Sequence, residues 1–247
     1  MPVKSSCQQY ILDVNDILIL NFLAKVGYCQ EHHLAKLVAI QQATLKSTLS
    51  AQITRLVKAN LVTKTPFLRE KDDFVLLGKE GAKQLQVNPV KGLILNTLNH
   101  DMLVIDLLLH FMHTQPQLMI KTDRELKREL GLVGAGISKA NIPDLLINDS
   151  IAIEVELTAK TEVRLCEIVN SYILKAEIKE VHYYVQSQTI VNRIFNLTQA
   201  SNKFRGFLFK EDIAQTEEVF APHNLTKSKN LASTQMVAYN LDDYLSE

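Results

Sequence analysis

The spacing of apolar residues divides the chain into two differently patterned parts. Up to about residue 86, apolar positions recur every three or four residues, which indicates amphipathic helices, and two short apolar runs around a charged turn indicate a strand hairpin. The first helix begins at a cap formed by Asn15 or Asp16 and ends at Gly27. The predicted helices lie at residues 15–26, 31–40, 45–57 and 78–85, and the predicted strands at 61–66 and 73–77.

The pattern changes after a junction at residues 87–97 that contains Asn88, Pro89 and Gly92. A helix that is apolar nearly all round comes first, and strands and helices then alternate. The predicted helices lie at 99–113, 161–176 and 189–198, and the predicted strands at 117–126, on both sides of the turn 148–150, at 181–185 and at 206–209. This order predicts an α/β fold, α+β overall, with domains at residues 1–90 and 98–211 and a polar tail with one or two short helices at 212–247.

Residues 142–160 place several charged side chains inside apolar, strand-like sequence. Along the strand after the turn, alternate residues share a face, so Glu154 and Glu156 project together. Asp144, on the preceding strand, is expected to turn its carboxylate toward the same side. Carboxylates that converge repel one another unless a cation binds them, and hard oxygen ligands suit Mg²⁺ or Mn²⁺. The simpler alternative is that both glutamates line the solvated face of an edge strand.

Composition narrows the class of protein. With 47% hydrophobic residues the chain is typical of a soluble globular protein, and no apolar run reaches the roughly 18 residues that a membrane span needs. The first residues lack a signal-peptide core, and the three cysteines are widely separated, so a reducing cytoplasm is favoured. Residues 1–97 hold 12 Lys/Arg against 7 Asp/Glu, whereas residues 98–247 hold 15 against 20. A basic part followed by an acidic one is consistent with DNA docking beside a cation site.

Three helices followed by a strand hairpin is the order of a winged helix-turn-helix, whose third helix enters the DNA major groove. The residues expected to contact DNA are polar or basic: Lys46, Ser47, Thr48, Gln52 and Arg55 on the exposed face of the third helix, Arg69 and Lys71 on the wing, and Lys139 on a later glycine-containing loop that could meet a phosphate. The alternative is a small helical bundle used for protein contact.

The order of elements after residue 98 resembles the core of the PD-(D/E)xK nucleases. Pro143 and Asp144 match the first half of that motif, and Glu154 matches its second acid. One position departs from the pattern, because Glu156 occupies the place of the motif lysine. Lys160, four residues later, is the candidate substitute. The departure puts the identity of the general base in doubt rather than the metal site.

Three stretches of the chain resemble the replication-relaxation family of plasmid proteins, and more narrowly the MOB-C class of mobilisation relaxases. They are residues 100–106, residues 122–126, and Pro143-Asp144 together with residues 154–160. The resemblance implies site- and strand-specific nicking of double-stranded plasmid DNA at an origin of transfer, in company with an accessory mobilisation or coupling protein. The resemblance is also compatible with a homodimer. No membrane insertion is expected, because no apolar run is long enough to span a bilayer.

These residues suggest a mechanism. Asp144 and Glu154 are expected to hold Mg²⁺ or Mn²⁺, which polarises the scissile phosphate and activates a water or a tyrosine hydroxyl. Glu156 either completes the coordination or accepts the proton of the nucleophile, and Lys160 stabilises charge on the phosphate. Glu125, at the end of the first strand, is a further ligand through water. A non-catalytic DNA-binding replication or transfer regulator and a restriction-type or repair endonuclease are the rival hypotheses, and Tyr172, Tyr183 and Tyr184 are open as nucleophiles.

Overall fold

A computed structural model describes residues 11–41, 48–66, 73–132, 141–199, 201–209 and 216–221. The chain divides into two compact units, Met1–Leu98 and Asn99–Glu247. The fold is mixed α/β, with a three-stranded antiparallel sheet in the first unit and a six-stranded mixed sheet in the second. Within the described ranges, no helix combines the length and the apolar character that crossing a membrane requires.

The first unit combines helices with a small sheet. Its elements are α1 (Val14–Val26), β1 (Tyr28–Gln30), α2 (Glu31–Ile40), α3 (Leu49–Lys58), β2 (Val62–Thr65), β3 (Phe74–Leu77) and α4 (Lys79–Gln84). Strand β3 lies in the middle and pairs antiparallel with both β1 and β2. The predicted second helix is confirmed at both ends, and the two strands of the hairpin are confirmed within a residue or two. Strand β1 is absent from the sequence prediction.

The cap of α1 differs from the predicted one. The helix is capped by Asp13, whose Oδ1 accepts a hydrogen bond from the Asp16 amide at 2.9 Å. The Asp16 carboxylate in turn accepts from the Asp13 amide at 3.0 Å, which completes a capping box. Asp16 is therefore the third residue of the helix rather than its cap, and Asn15 is the second.

The second unit is built on the larger sheet. Its elements are α5 (Leu98–Thr114), β4 (Ile120–Thr122), α6 (Asp123–Glu129), β5 (Leu145–Ile147), β6 (Ile151–Glu156), α7 (Glu162–Leu174), β7 (Glu180–Val185), α8 (Gln188–Thr198), β8 (Phe204–Leu208) and β9 (Glu217–Phe220). The strand order is β4-β5-β6-β7-β8-β9, and β6, β7 and β8 run parallel. The hairpin of β5 and β6 around the turn at 148–150 is confirmed, because the two strands pair antiparallel there.

Two parts of the sequence prediction for this unit are wrong. The strand expected at 117–126 covers only Ile120–Thr122, and the charged residues that follow form α6. Residues 217–220, expected in a polar tail with short helices, form β9 and pair with β8 at the edge of the sheet. The sheet therefore extends beyond residue 211, the predicted end of the domain.

Both faces of the central strands are covered. Helices α7 and α8 pack on the face that carries Ala152 and Tyr183, where they form one hydrophobic core. On the other face, Phe111 of α5 meets Tyr184 edge-on, with ring centroids 6.4 Å apart. Strand β6 is therefore an interior strand with neighbours on both sides, and the alternative of an edge strand with a solvated glutamate face is wrong.

Candidate active site

Asp144 and Glu154 lie opposite each other where β5 begins and β6 ends. The register pairs Leu145 with Ile153, and the Asp144 amide continues it by donating to the Ile153 carbonyl at 3.0 Å. Residue 144 is thus set directly across from residue 154. The pKa of Glu154 is raised to about 8, mainly by burial and next by the negative charge of Asp144, so the two carboxylates interact. The sequence prediction that brought these two acids together agrees with this register.

The Asp144 carboxylate is held by two donors. Its Oδ2 accepts a hydrogen bond from the Val155 amide at 2.8 Å and lies 3.2 Å from His100 Nε2. The other ring nitrogen of His100 lies 3.2 Å from Asp101 Oδ1. Burial alone would lower the pKa of this imidazole, but its bonds to Asp101 and Asp144 raise it to about 10. His100 is therefore an imidazolium at neutral pH, donating from both nitrogens. No role for this side chain is predicted from the sequence.

The Glu154 carboxylate has a different partner. The hydroxyl of Tyr172, from α7, donates a hydrogen bond to Glu154 Oε1. Tyr183, which is paired with Glu154 in the register of β6 and β7, is also buried, and its hydroxyl has no hydrogen-bond partner among the described residues. Burial and then the charge of Glu154 raise the pKa of both tyrosines well above the ordinary value. Their phenolates are therefore strongly disfavoured in this environment.

Glu156 and Lys160 form an ion pair at the end of β6. Lys160 Nζ donates to Glu156 Oε2, and the Glu156 side chain is buried. The loop that carries Lys160 is held by Arg193 of α8, which donates to the Lys160 carbonyl oxygen at 3.1 Å. Burial lowers the pKa of the Lys160 ammonium, while the charges of Glu154 and then Asp144 act in the opposite direction. Lys160 thus belongs to the same electrostatic cluster as the two acids.

Glu125 does not lie at the end of a strand as expected. Thr122 ends β4 and caps α6, and Glu125 is the third residue of that helix. Glu125 Oε2 accepts from the Thr122 amide at 2.9 Å and from its hydroxyl at 3.3 Å, so the carboxylate completes a capping box. The spacing of threonine and glutamate three residues apart was the sequence signal for this structural role.

The predicted ligands do not form a ready-made cage. Across the described residues, no three of the four predicted carboxylates bring oxygens within 4.8 Å of one another. Glu156 is paired with Lys160 and Glu125 belongs to a helix cap, which leaves Asp144 and Glu154. These two residues still suit a hard divalent cation, because both supply carboxylate oxygens as ligands. A bound cation would also offset the charge repulsion and the cost of burying a negative charge, which together raise the pKa of Glu154.

In the first unit, the described DNA-contact residues predicted for α3 differ in exposure and in their partners. Thr48 is exposed and caps the helix by accepting from the Ala51 amide. Arg55 forms ion pairs with Asp13 and Asp16 at 3.0 and 3.1 Å. The prediction that Gln52 lies on the exposed face is wrong, because it is 1% exposed and donates to Asp16 Oδ1 at 2.6 Å. The other predicted contacts lie outside the described residues: Lys46, Ser47, Arg69, Lys71 and Lys139.

Comparisons with known proteins do not assign the chain to a family. No family model, no curated protein and no solved structure matches it. Function therefore has to be inferred from the residues of the chain and their geometry.

Proposed function

We propose that residues 99–247 form a divalent-metal-dependent nuclease centre that nicks one strand of plasmid DNA at an origin of transfer. The observation that carries the proposal is the position of Asp144, immediately before β5, directly across from Glu154 on the adjacent interior strand β6, with Lys160 in the same electrostatic cluster. An order of strands with two acids at this position and a nearby lysine is what a PD-(D/E)xK centre requires. The choice of an origin of transfer as target rests on the resemblance of residues 100–106, residues 122–126, and Pro143-Asp144 together with residues 154–160 to the MOB-C relaxases.

Each residue of the centre is suited to a particular task. Asp144 and Glu154 would hold Mg²⁺ or Mn²⁺, and such an ion supplies Lewis-acid polarisation of a phosphate and a more acidic bound water. Lys160 carries an ammonium group suited to neutralising charge on a phosphate. Glu156 accepts a hydrogen bond from that ammonium, which favours a role in holding Lys160 or accepting a proton over a role as a metal ligand.

Water is favoured over a tyrosine of the sheet as the nucleophile. Tyr172, Tyr183 and Tyr184 are all buried, and burial raises the pKa of each hydroxyl above the ordinary value. A hydroxyl attacks a phosphate efficiently only when it is accessible and readily deprotonated. The remaining tyrosines of the second unit, Tyr239 and Tyr244, lie outside the described residues.

The first unit is proposed to bind DNA as a winged helix. Its elements follow the order of that fold, with three helices, an antiparallel sheet of three short strands, and the β2–β3 hairpin in the position of the wing. Thr48 lies at the exposed start of α3, where the recognition helix of this fold approaches base edges. Gln52 is removed from the proposed contact set because it is buried, and Arg55 would have to exchange its pairs with Asp13 and Asp16 for phosphate.

The nicking proposal is tested with a supercoiled plasmid that carries the DNA flanking the gene for this protein. The full chain is expected to convert it to the relaxed form with Mg²⁺ or Mn²⁺ and not with EDTA. Asp144→Ala and Glu154→Ala should each reduce the rate at least about 100-fold while leaving DNA binding intact. Glu167→Ala, at an α7 side chain that is 60% exposed, is the matched control and should nick normally. Undiminished nicking by both site variants would refute the assignment.

A second function is favoured by one specific observation. Each acid of the cluster already has a partner from the protein, with Asp144 beside His100, Glu154 bonded to Tyr172 and Glu156 paired with Lys160. Such internal compensation also suits a non-catalytic DNA-binding regulator of replication or transfer whose nuclease-like unit only dimerises or binds a partner. That function predicts sequence-specific DNA binding with no nicking at any concentration of Mg²⁺ or Mn²⁺.

A further inference from the structure

Two buried tyrosines lie beside Glu154 but differ in one respect. Tyr172 is fully buried and its hydroxyl donates to Glu154 Oε1, whereas Tyr183 is 1% exposed and its hydroxyl has no partner among the described residues. Across the same part of the chain, Tyr172 is the only hydrogen-bond donor to the Glu154 carboxylate. The same residue type thus occurs twice around one carboxylate, once with a directed hydrogen bond and once without.

The ring of Tyr172 is fixed from several directions. It packs in the core between α7 and the sheet, and the ammonium of Lys175 lies 5.2 Å from its ring centroid. Lys203 Nζ donates to the carbonyl oxygens of Tyr172, Ile173 and Lys175 at 3.3, 3.3 and 2.9 Å, which ties down the last turn of α7. A hydroxyl on a side chain held in this way can direct its hydrogen bond to only a narrow range of positions.

We propose that Tyr172 is a positioning residue, whose hydroxyl fixes the orientation of the Glu154 carboxylate so that it can bind a divalent cation together with Asp144. The inference rests on the proposed function, since it concerns the same metal site. Carboxylates that bind metals are commonly oriented by a hydrogen bond from a neighbouring group, and loss of such a bond typically weakens metal binding 10- to 100-fold. Tyr172 acts through Glu154 and is not expected to touch the DNA.

The test measures Mn²⁺ binding to the full chain by isothermal titration calorimetry, without DNA. Tyr172→Phe keeps the ring and removes only the hydroxyl, so it should bind Mn²⁺ at least about 10-fold more weakly than the wild type. Tyr183→Phe removes an equally buried hydroxyl from the same core and should bind Mn²⁺ as the wild type does. Wild-type affinity in Tyr172→Phe, or an equal loss in both variants, would overturn the positioning role.

Two further measurements separate the remaining outcomes. Failure of the wild type itself to bind Mn²⁺ would overturn the metal site, and with it the proposed function. Mn²⁺ binding by the wild type that is unchanged in Tyr172→Phe would overturn only the positioning role of Tyr172. Urea unfolding in EDTA reports on the hydrogen bond without metal. Tyr172→Phe should lower the urea midpoint. Tyr183→Phe should leave it unchanged or raise it, because the buried hydroxyl that it removes makes no hydrogen bond with the described residues.

If Tyr172→Phe does not fold, Lys203→Met provides the test, because it frees the end of α7 that carries Tyr172. Lys203→Met should also weaken Mn²⁺ binding, and unchanged Mn²⁺ affinity would count against the positioning role of Tyr172.

Discussion

Replacement of Glu154 by glutamine should change how the stability of the protein depends on pH. Burial and the charge of Asp144 raise the pKa of Glu154 from an ordinary value of 4.5 to about 8, against the opposing effects of Tyr172, Lys160 and His100. Between these two values the folded protein keeps a proton on Glu154 that the unfolded chain has released. The stability that the folded protein gains by holding this proton is therefore fully present below pH 4.5 and is lost as the pH rises toward 8.

The size of the effect follows from the width of that window. Each pH unit inside it lowers the free energy of unfolding by about 1.4 kcal/mol for one group. From pH 5 to pH 7.5, the wild type should therefore lose on the order of 3 kcal/mol that Glu154→Gln does not lose, because glutamine has no proton to release. Hydrogen bonding to Asp101 and Asp144 raises the pKa of His100 to about 10, and the stability it contributes also falls above pH 6.5, but this contribution is common to both proteins.

The assay is urea unfolding of the metal-free protein in EDTA at pH 5, 6, 7 and 8, followed by circular dichroism. Glu167→Gln serves as the matched control, since the same chemical change at a side chain that is 60% exposed should leave the pH profile as in the wild type. Parallel pH profiles for the wild type and Glu154→Gln would refute the reasoning. That result would mean that Glu154 is ionised in the folded protein at neutral pH and is stabilised there by its neighbours.

Two further predictions concern the first unit. An added methyl group at Gly81 would lie 2.2 Å from the Leu61 carbonyl oxygen, so Gly81→Ala should lower the free energy of unfolding, measured by urea titration, by more than about 2 kcal/mol. Gly92→Ala is the control, because an added methyl group there would have no atom within 4 Å, and it should change the free energy of unfolding by less than about 0.5 kcal/mol. Gln52→Ala removes a buried hydrogen bond to Asp16 and should cost about 1–3 kcal/mol by urea unfolding. The exposed change Thr54→Ala in the same helix should change the free energy of unfolding by less than about 0.5 kcal/mol, and an equal cost there would show that the loss at residue 52 does not come from the buried hydrogen bond.

Local patterns in the sequence identified much of the second unit. The alternation along β6 and the turn residues Asn148 and Asp149, both with positive φ of 49° and 53°, identified the hairpin because strand period and turn geometry are local properties. A strand of three residues such as β1 is too short to show a period, so it was missed. β9 was missed because two glutamates and an exposed start resemble a polar tail.

The predictions for Gln52 and Glu125 are wrong although the spacing of neighbouring residues indicates the correct role in each case. Gln52 follows Leu49 by three residues and precedes Leu56 by four, so helical spacing already puts it on the buried face of α3. Its polar side chain suggested exposure, but the buried carboxylate of Asp16 supplies the partner that makes its burial favourable. The prediction of Glu125 as a site residue rests on its acidity and its closeness to a strand, although its spacing from Thr122 is that of a capping box.

The side chains that contact Asp144 and Glu154 could not be predicted from local patterns, because they come from elements distant in sequence. His100 reaches Asp144 across 44 residues and Tyr172 reaches Glu154 across 18, and neither contact has a periodic or compositional signal. The sequence pattern predicts that Asp144, Glu154 and Glu156 converge and repel one another unless a cation binds them. In the folded unit an imidazolium, a lysine and a tyrosine hydroxyl offset part of that cost, although the pKa of Glu154 is still raised to about 8. Charge repulsion alone therefore does not require a metal here. The deciding measurement is whether Asp144 and Glu154 bind Mn²⁺ when it is added.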